Sequence, residues 1–170
     1  AIKIGLQHKI NIFALSFANQ ATDVRQMRSL CGNNSKIICK IESIDGVRNL
    51  KEILKETDEI LVDRGGLSRQ VELHKIPMLQ RLIISTANKA GKPVYVATNL
   101  LEAMTTNMSP TRAEVNDVVS TLMMGANGLV LAAETAIGNY PSEAVKMTRL
   151  LIDEVAEWNP STTIKGLLNF

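Results

Sequence analysis

Five short runs of β-favouring apolar residues, each followed by a helical stretch, recur about every 30 residues, and that rhythm admits few folds. The runs are Asn11–Phe17, Lys36–Glu42, Glu59–Asp63, Val94–Thr98 and Gly128–Ala132. Their nearly continuous apolar content fits parallel strands covered on both faces. Parallel neighbours need long crossovers, and those crossovers are right-handed. An open doubly wound sheet and part of a (β/α)8 barrel both satisfy this order. No Gly-x-Gly-x-x-Gly follows a strand and no Walker A sequence is present, which favours the barrel. A closed barrel takes about 250 residues. The expectation is therefore a partial (β/α)8 TIM-type barrel, with about five parallel strands alternating with helices. Residues 1–158 form that portion and 159–170 a C-terminal tail.

Local signals punctuate the helices. Residues 1–9 read as the end of a helix closing near His8. Ala21–Leu30 carries Val24, Met27 and Leu30 at helical spacing, with Thr22 as candidate N-cap and Gly32-Asn33 as the stop. Asp45–Glu56 puts Val47, Leu50, Ile53 and Leu54 on one stripe. A long helix spans His74–Ala90 and breaks at Gly91-Lys92-Pro93. Thr111 and Glu114 have capping-box spacing after Pro110, in a helix that ends near Gly125. Pro141-Ser142-Glu143 opens the last helix, which reaches Trp158.

Charge and composition narrow the function classes. A net charge of +2 and 4% aromatic residues give no electrostatic or stacking case for nucleic acid, and none for a membrane surface. No apolar run reaches spanning length and no signal peptide is evident, so a cytoplasmic location is expected. Cys31 and Cys39 read as reduced thiols rather than a disulfide or zinc site. The chain begins at Ala1 without an initiator Met, so a longer parent chain is expected.

In parallel α/β folds ligands gather at the C-terminal strand ends. There the sequence places Ser16, Lys40, Glu42, Arg64, Gly65, Gly66, Thr98 and Glu134. Along Lys36-Ile-Ile-Cys-Lys-Ile-Glu-Ser43, side chains alternate, so Lys40 and Glu42 share a face with Ile38. Ile37, Cys39 and Ile41 then enter an apolar layer on the other side. An ammonium and a carboxylate side by side suit a phosphate or metal site; an internal ion pair is the plainer alternative. Other signals have plain readings too. Glu114 is the capping partner of Thr111, and Glu134 can be a helix-start carboxylate. Met123 and Met124 are packing residues, and His8 and His74 are surface or helix-end residues.

Several long motifs, in colinear order, resemble the catalytic barrel domain of pyruvate kinase over residues 1–158. They are the Lys36–Ser43 strand, the Val62-Asp-Arg-Gly-Gly-Leu67 turn and Pro93-Val-Tyr-Val-Ala-Thr-Asn-Leu-Leu-Glu-Ala-Met104. Pro110-Thr-Arg-Ala-Glu114, and Ala133-Glu-Thr-Ala136 with Gly138 and Tyr140-Pro141, continue the match. The resemblance covers the fourth to eighth barrel strands. It implies phosphoryl transfer between phosphoenolpyruvate and ADP, giving pyruvate and ATP in glycolysis. By the same resemblance Lys40 is the catalytic lysine and Glu42 a Mg²⁺ ligand. Gly65 and Gly66 would hold the substrate carboxylate through their N–H groups, with Arg64 beside them, and Thr98 would face the methylene carbon of the enolate.

The departures carry equal weight. Gly66 stands where the family has its second metal carboxylate, and Asp63 replaces a small residue three positions earlier, where it could supply a carboxylate if the turn folds back. The family's lid, first barrel strands and K⁺ ligands have no counterpart in this stretch, leaving K⁺ open. Two other readings are a non-catalytic binding or assembly module and a metal-dependent lyase acting on pyruvate enolates. Exposed strand edges imply self-association or a longer parent chain.

Overall fold

The computed structural model describes residues 1–168, so the last two residues of the expected tail lie outside the description. Its strands are β1 (Ile12–Leu15), β2 (Lys36–Ile41), β3 (Glu59–Asp63), β4 (Val94–Ala97) and β5 (Gly128–Val130). They form one sheet in the order β1-β2-β3-β4-β5, every neighbouring pair parallel. A doubly wound sheet reverses its strand order part-way, whereas a barrel wall runs in sequence order. The architecture is that of a partial barrel. Four strands, all but β3, stop short of their expected ends. Phe17 and Thr98 adopt positive φ angles of 51° and 71°, which turns the chain out of the ladder just beyond β1 and β4.

Helices α1 (Ile2–Gln7), α2 (Ala21–Cys31), α3 (Ile44–Arg48), α4 (Leu50–Glu56) and α5 (Arg64–Leu67) accompany the first three strands. They are followed by α6 (Ile76–Lys89), α7 (Arg112–Met123), α8 (Ala133–Ala136), α9 (Pro141–Glu157) and α10 (Ile164–Leu168). Helix α2 starts two residues earlier than its Thr22 signal implied. Gln20 is the N-cap, and Asp23 accepts the Asn19 and Gln20 N–H groups, both at 2.9 Å. The stripe over Asp45–Glu56 is two helices, broken at Asn49, although Leu50, Ile53 and Leu54 remain buried. A 3-10 turn, Leu73–Lys75, takes up His74 ahead of α6. The capping box of Thr111 and Glu114 opens α7 as expected.

The sheet has two unlike faces. Ile37, Cys39, Ile41, Ile60, Val62, Val94 and Val96 are fully buried against the helices, in one cluster with Val24, Ile53, Ile83 and Ile84. The opposite face carries Ile38, Lys40, Leu61, Asp63 and Tyr95, all half-buried. Cover on both faces was expected from the apolar runs; here the helices cover one. A smaller cluster of Leu100, Leu101, Met104, Val118, Ala144 and Leu151 joins α7 and α9 to the segment after β4. Met124 packs against the main core, but Met123 is 53% exposed and is no packing residue.

Candidate active site

Strand register brings the acidic residues together. Ile41 pairs with Val62 and Asp63 with Ala97, so Glu42, Asp63 and Thr98 emerge side by side at the C-terminal ends of β2, β3 and β4. Lys40 projects from the half-open face toward them. Its Nζ lies 2.9 Å from Asp63 Oδ2 and 3.4 Å from both Glu42 carboxylate oxygens. The turn does fold back: Asp63 caps α5, its Oδ1 accepting the Gly66 N–H at 3.3 Å. Glu42 is 5% exposed, and its Oε1 accepts the Phe17 N–H at 2.9 Å.

Gly65 and Gly66 border the same hollow, but their amides already have partners. Gly65 N–H donates to Thr98 Oγ1 at 2.8 Å, and that hydroxyl lies 3.5 Å from Asp63 Oδ1. Gly66 sits where no side chain fits, because a Cβ there would approach Glu42 Cβ to 2.6 Å. Arg64 points elsewhere. Its guanidinium donates to the Thr98 carbonyl through Nε at 3.0 Å and Nη2 at 2.5 Å, while Nη1 reaches Asp117 Oδ2 at 2.6 Å. That fork holds Thr98, a β-branched residue at positive φ, in a conformation it would otherwise avoid.

A hollow of about 440 Å³ opens beside these groups, walled by Phe17, Glu42, Asp63, Gly65, Gly66, Arg69, Gln70 and Thr98. Arg69 pairs with no carboxylate among the described residues. Burial works to lower the Lys40 pKa, but the hydrogen bond and charge of Asp63, with Glu42 beyond, outweigh it and hold the pKa above its usual 10.5. Burial works to raise the Asp63 pKa, and the Lys40 hydrogen bond and the Gly66 and Gly65 N–H groups outweigh it, holding the carboxyl below 3.8. Both shifts favour the charged pair.

Ser16 is exposed and lies outside the hollow walls. Glu134 is 1% exposed and accepts the Leu101 N–H at 3.2 Å and the Ala132 N–H at 2.8 Å, so it ties the segments that follow β4 and β5 together. Glu114 completes its capping box and also accepts the Ala103 N–H at 2.7 Å. His8 ends α1, and His74 is exposed beside Glu72. Burial pushes the Cys39 thiol up to about 11, and both cysteines are free. Phe17, Arg69 and Gln70 were missed by sequence reasoning, because only the fold of the β1–α2 and α5–α6 segments brings them to this mouth.

No group of three or more His, Cys, Asp or Glu able to hold a metal occurs among the described residues. Mg²⁺ commonly binds through one or two carboxylates and completes its shell with water and substrate oxygens. Glu42, a nearly buried carboxylate opening on the hollow, fits that donor set. Among the described residues no helix is long and apolar enough to cross a membrane.

The sequence model of the family "Pyruvate kinase, barrel domain" matches residues 1–145. The chain belongs to the pyruvate kinase barrel-domain family. It is 41% identical over 169 residues to a pyruvate kinase of Dictyostelium discoideum, covering 98% of this chain and 33% of that protein. It is 41% identical over 156 residues to human pyruvate kinase PKLR, covering 90% of this chain and 27% of that one. A pyruvate kinase of Candida albicans is 44% identical over 149 residues, covering 86% and 30%. The chain thus spans about a third of the curated relatives it matches. Within this pyruvate kinase barrel portion, position 66 carries no carboxylate, and the Asp63 carboxylate caps the α5 turn by accepting the Gly66 N–H.

Proposed function

We propose that the hollow serves phosphoryl transfer between phosphoenolpyruvate and ADP, giving pyruvate and ATP, as part of a pyruvate kinase working in the cytoplasm. The observation that carries this reading is the opening walled by Glu42, Asp63 and Thr98 at the ends of three parallel strands, with the Lys40 ammonium against the first two. Phosphoryl transfer asks a protein for position and charge rather than covalent chemistry. The Lys40 ammonium supplies positive charge where the phosphoryl and enolate oxygens would gather negative charge. Glu42 would hold Mg²⁺, which when bound neutralises phosphoryl oxygens. Arg69, exposed at the rim, is placed to attract phosphate groups. Arg64 acts through Thr98, fixing the hydroxyl that faces the opening.

A coupled assay for pyruvate formed from phosphoenolpyruvate and ADP with Mg²⁺ tests the reading, with Lys40→Met as the control. Pyruvate that depends on Lys40 is expected. Equal rates in both proteins would assign turnover to something other than this site. The second reading, a binding module without turnover, draws on the engaged state of the Gly65 and Gly66 amides. It predicts phosphoenolpyruvate binding without pyruvate.

A further inference from the structure

The hollow beside Lys40 already receives an anion, and it is the chain's own. Asp63 meets the Lys40 ammonium through Oδ2 at 2.9 Å, while Oδ1 takes the Gly66 N–H at 3.3 Å and faces the Thr98 hydroxyl at 3.5 Å. The Lys40 ammonium and the Gly66 N–H donate to it as a protein donates to a bound carboxylate ligand, while the Thr98 hydroxyl gives its proton to the Ala97 carbonyl at 2.5 Å. Glu42 is not that occupant. Its Oε1 is held by the Phe17 N–H, and it stands 3.4 Å from Lys40. Space remains in front of the pair, about 440 Å³ with Arg69 at its rim, enough for a small anion.

We propose that Asp63 is a tethered occupant of a carboxylate site, so that small carboxylate anions bind beside Lys40 only by exchange with it. An incoming anion meets a like charge across the hollow and finds the ammonium and one amide already engaged. Asp63 therefore sets which ligands enter and how tightly. The inference rests on reading the hollow as an anion site, but concerns binding and not turnover.

Oxalate, a small planar dicarboxylate, is the probe, titrated calorimetrically without metal or nucleotide into wild type, Asp63→Asn and Asp63→Ala. Affinity rising by about tenfold or more in the variants is expected. That gain should vanish when Lys40→Met is added to Asp63→Ala. Asp63→Asn keeps the size and an acceptor for the Gly66 N–H, so it decides the matter should Asp63→Ala unfold in a thermal melt. Oxalate binding equal to or weaker than wild type in folded Asp63→Asn overturns the proposal. A parallel Mn²⁺ titration gives a second route to rejection: weaker metal binding in Asp63→Asn with no gain for oxalate makes Asp63 a metal ligand instead. Failure of phosphotransfer would appear in the pyruvate assay and leave the oxalate result standing.

Discussion

Lys40 and Asp63 form a half-buried pair whose contribution to stability has a definite pH window. Asp63 has a depressed pKa, so its contribution is present above 3.8 and lost as pH falls through the lower folded value. Lys40 has a raised pKa, so its contribution is complete below 10.5 and lost as pH rises through the higher folded value. Between these limits the pair is fully charged. Urea unfolding should therefore show wild type more stable than Asp63→Asn near about pH 7, with the gap narrowing as pH falls below 3.8. A gap that stays constant in acid would separate Asp63 from Lys40. Period-2 alternation was enough to place Lys40 with Glu42. The same alternation along β3 puts Asp63 on the site face and Arg64 behind it, a signal present in the sequence but masked by Arg64's apparent membership of the motif. The Gly66 contact with Glu42 was not legible, because it depends on how closely the α5 turn passes β2.

Strands, crossover helices and most caps could be read from periodicity because each reports a local preference. The break at Asn49, whose side-chain amide donates to the Asn19 carbonyl at 2.8 Å, and the cap at Gln20 could not, since both lie where the β1–α2 loop meets its neighbours. Glu134 belongs to this scale. It looks like an ordinary first-turn acid of α8, yet its two oxygens serve N–H groups in the segments that follow two different strands. Glu134→Ala should leave both donors without their partner, costing about 1–3 kcal/mol for each buried group. Thermal and urea unfolding would register the loss. A change within about 0.5 kcal/mol, the range usual for surface substitutions, would mean that this tie is dispensable.

The molecule as a whole carries one helix-covered sheet face, one half-open face and two edge strands. Ile12 on β1 is 53% exposed and Val130 on β5 is 37% exposed, so apolar side chains accompany the unpaired backbone of both edges. Such edges invite pairing. Sedimentation should reveal species larger than the 18.6 kDa monomer, and Ile12→Lys should reduce them. A monomer that persists across concentrations would show that the edges are quiet. Fold class was legible because the strand–helix rhythm leaves few alternatives. The uneven cover was not, because an apolar run does not say which neighbour will cover each face.

On the proposed reading, the Lys40 ammonium and the strand-end groups beside it serve one ligand hollow. Backbone amide spectra recorded during titration with phosphoenolpyruvate and Mg²⁺ test it most directly. The Phe17, Gly65 and Gly66 amide resonances should move together, and the movement should be lost in Lys40→Met. Shifts confined to other surfaces, or shifts at these amides that survive removal of the ammonium, would contradict it.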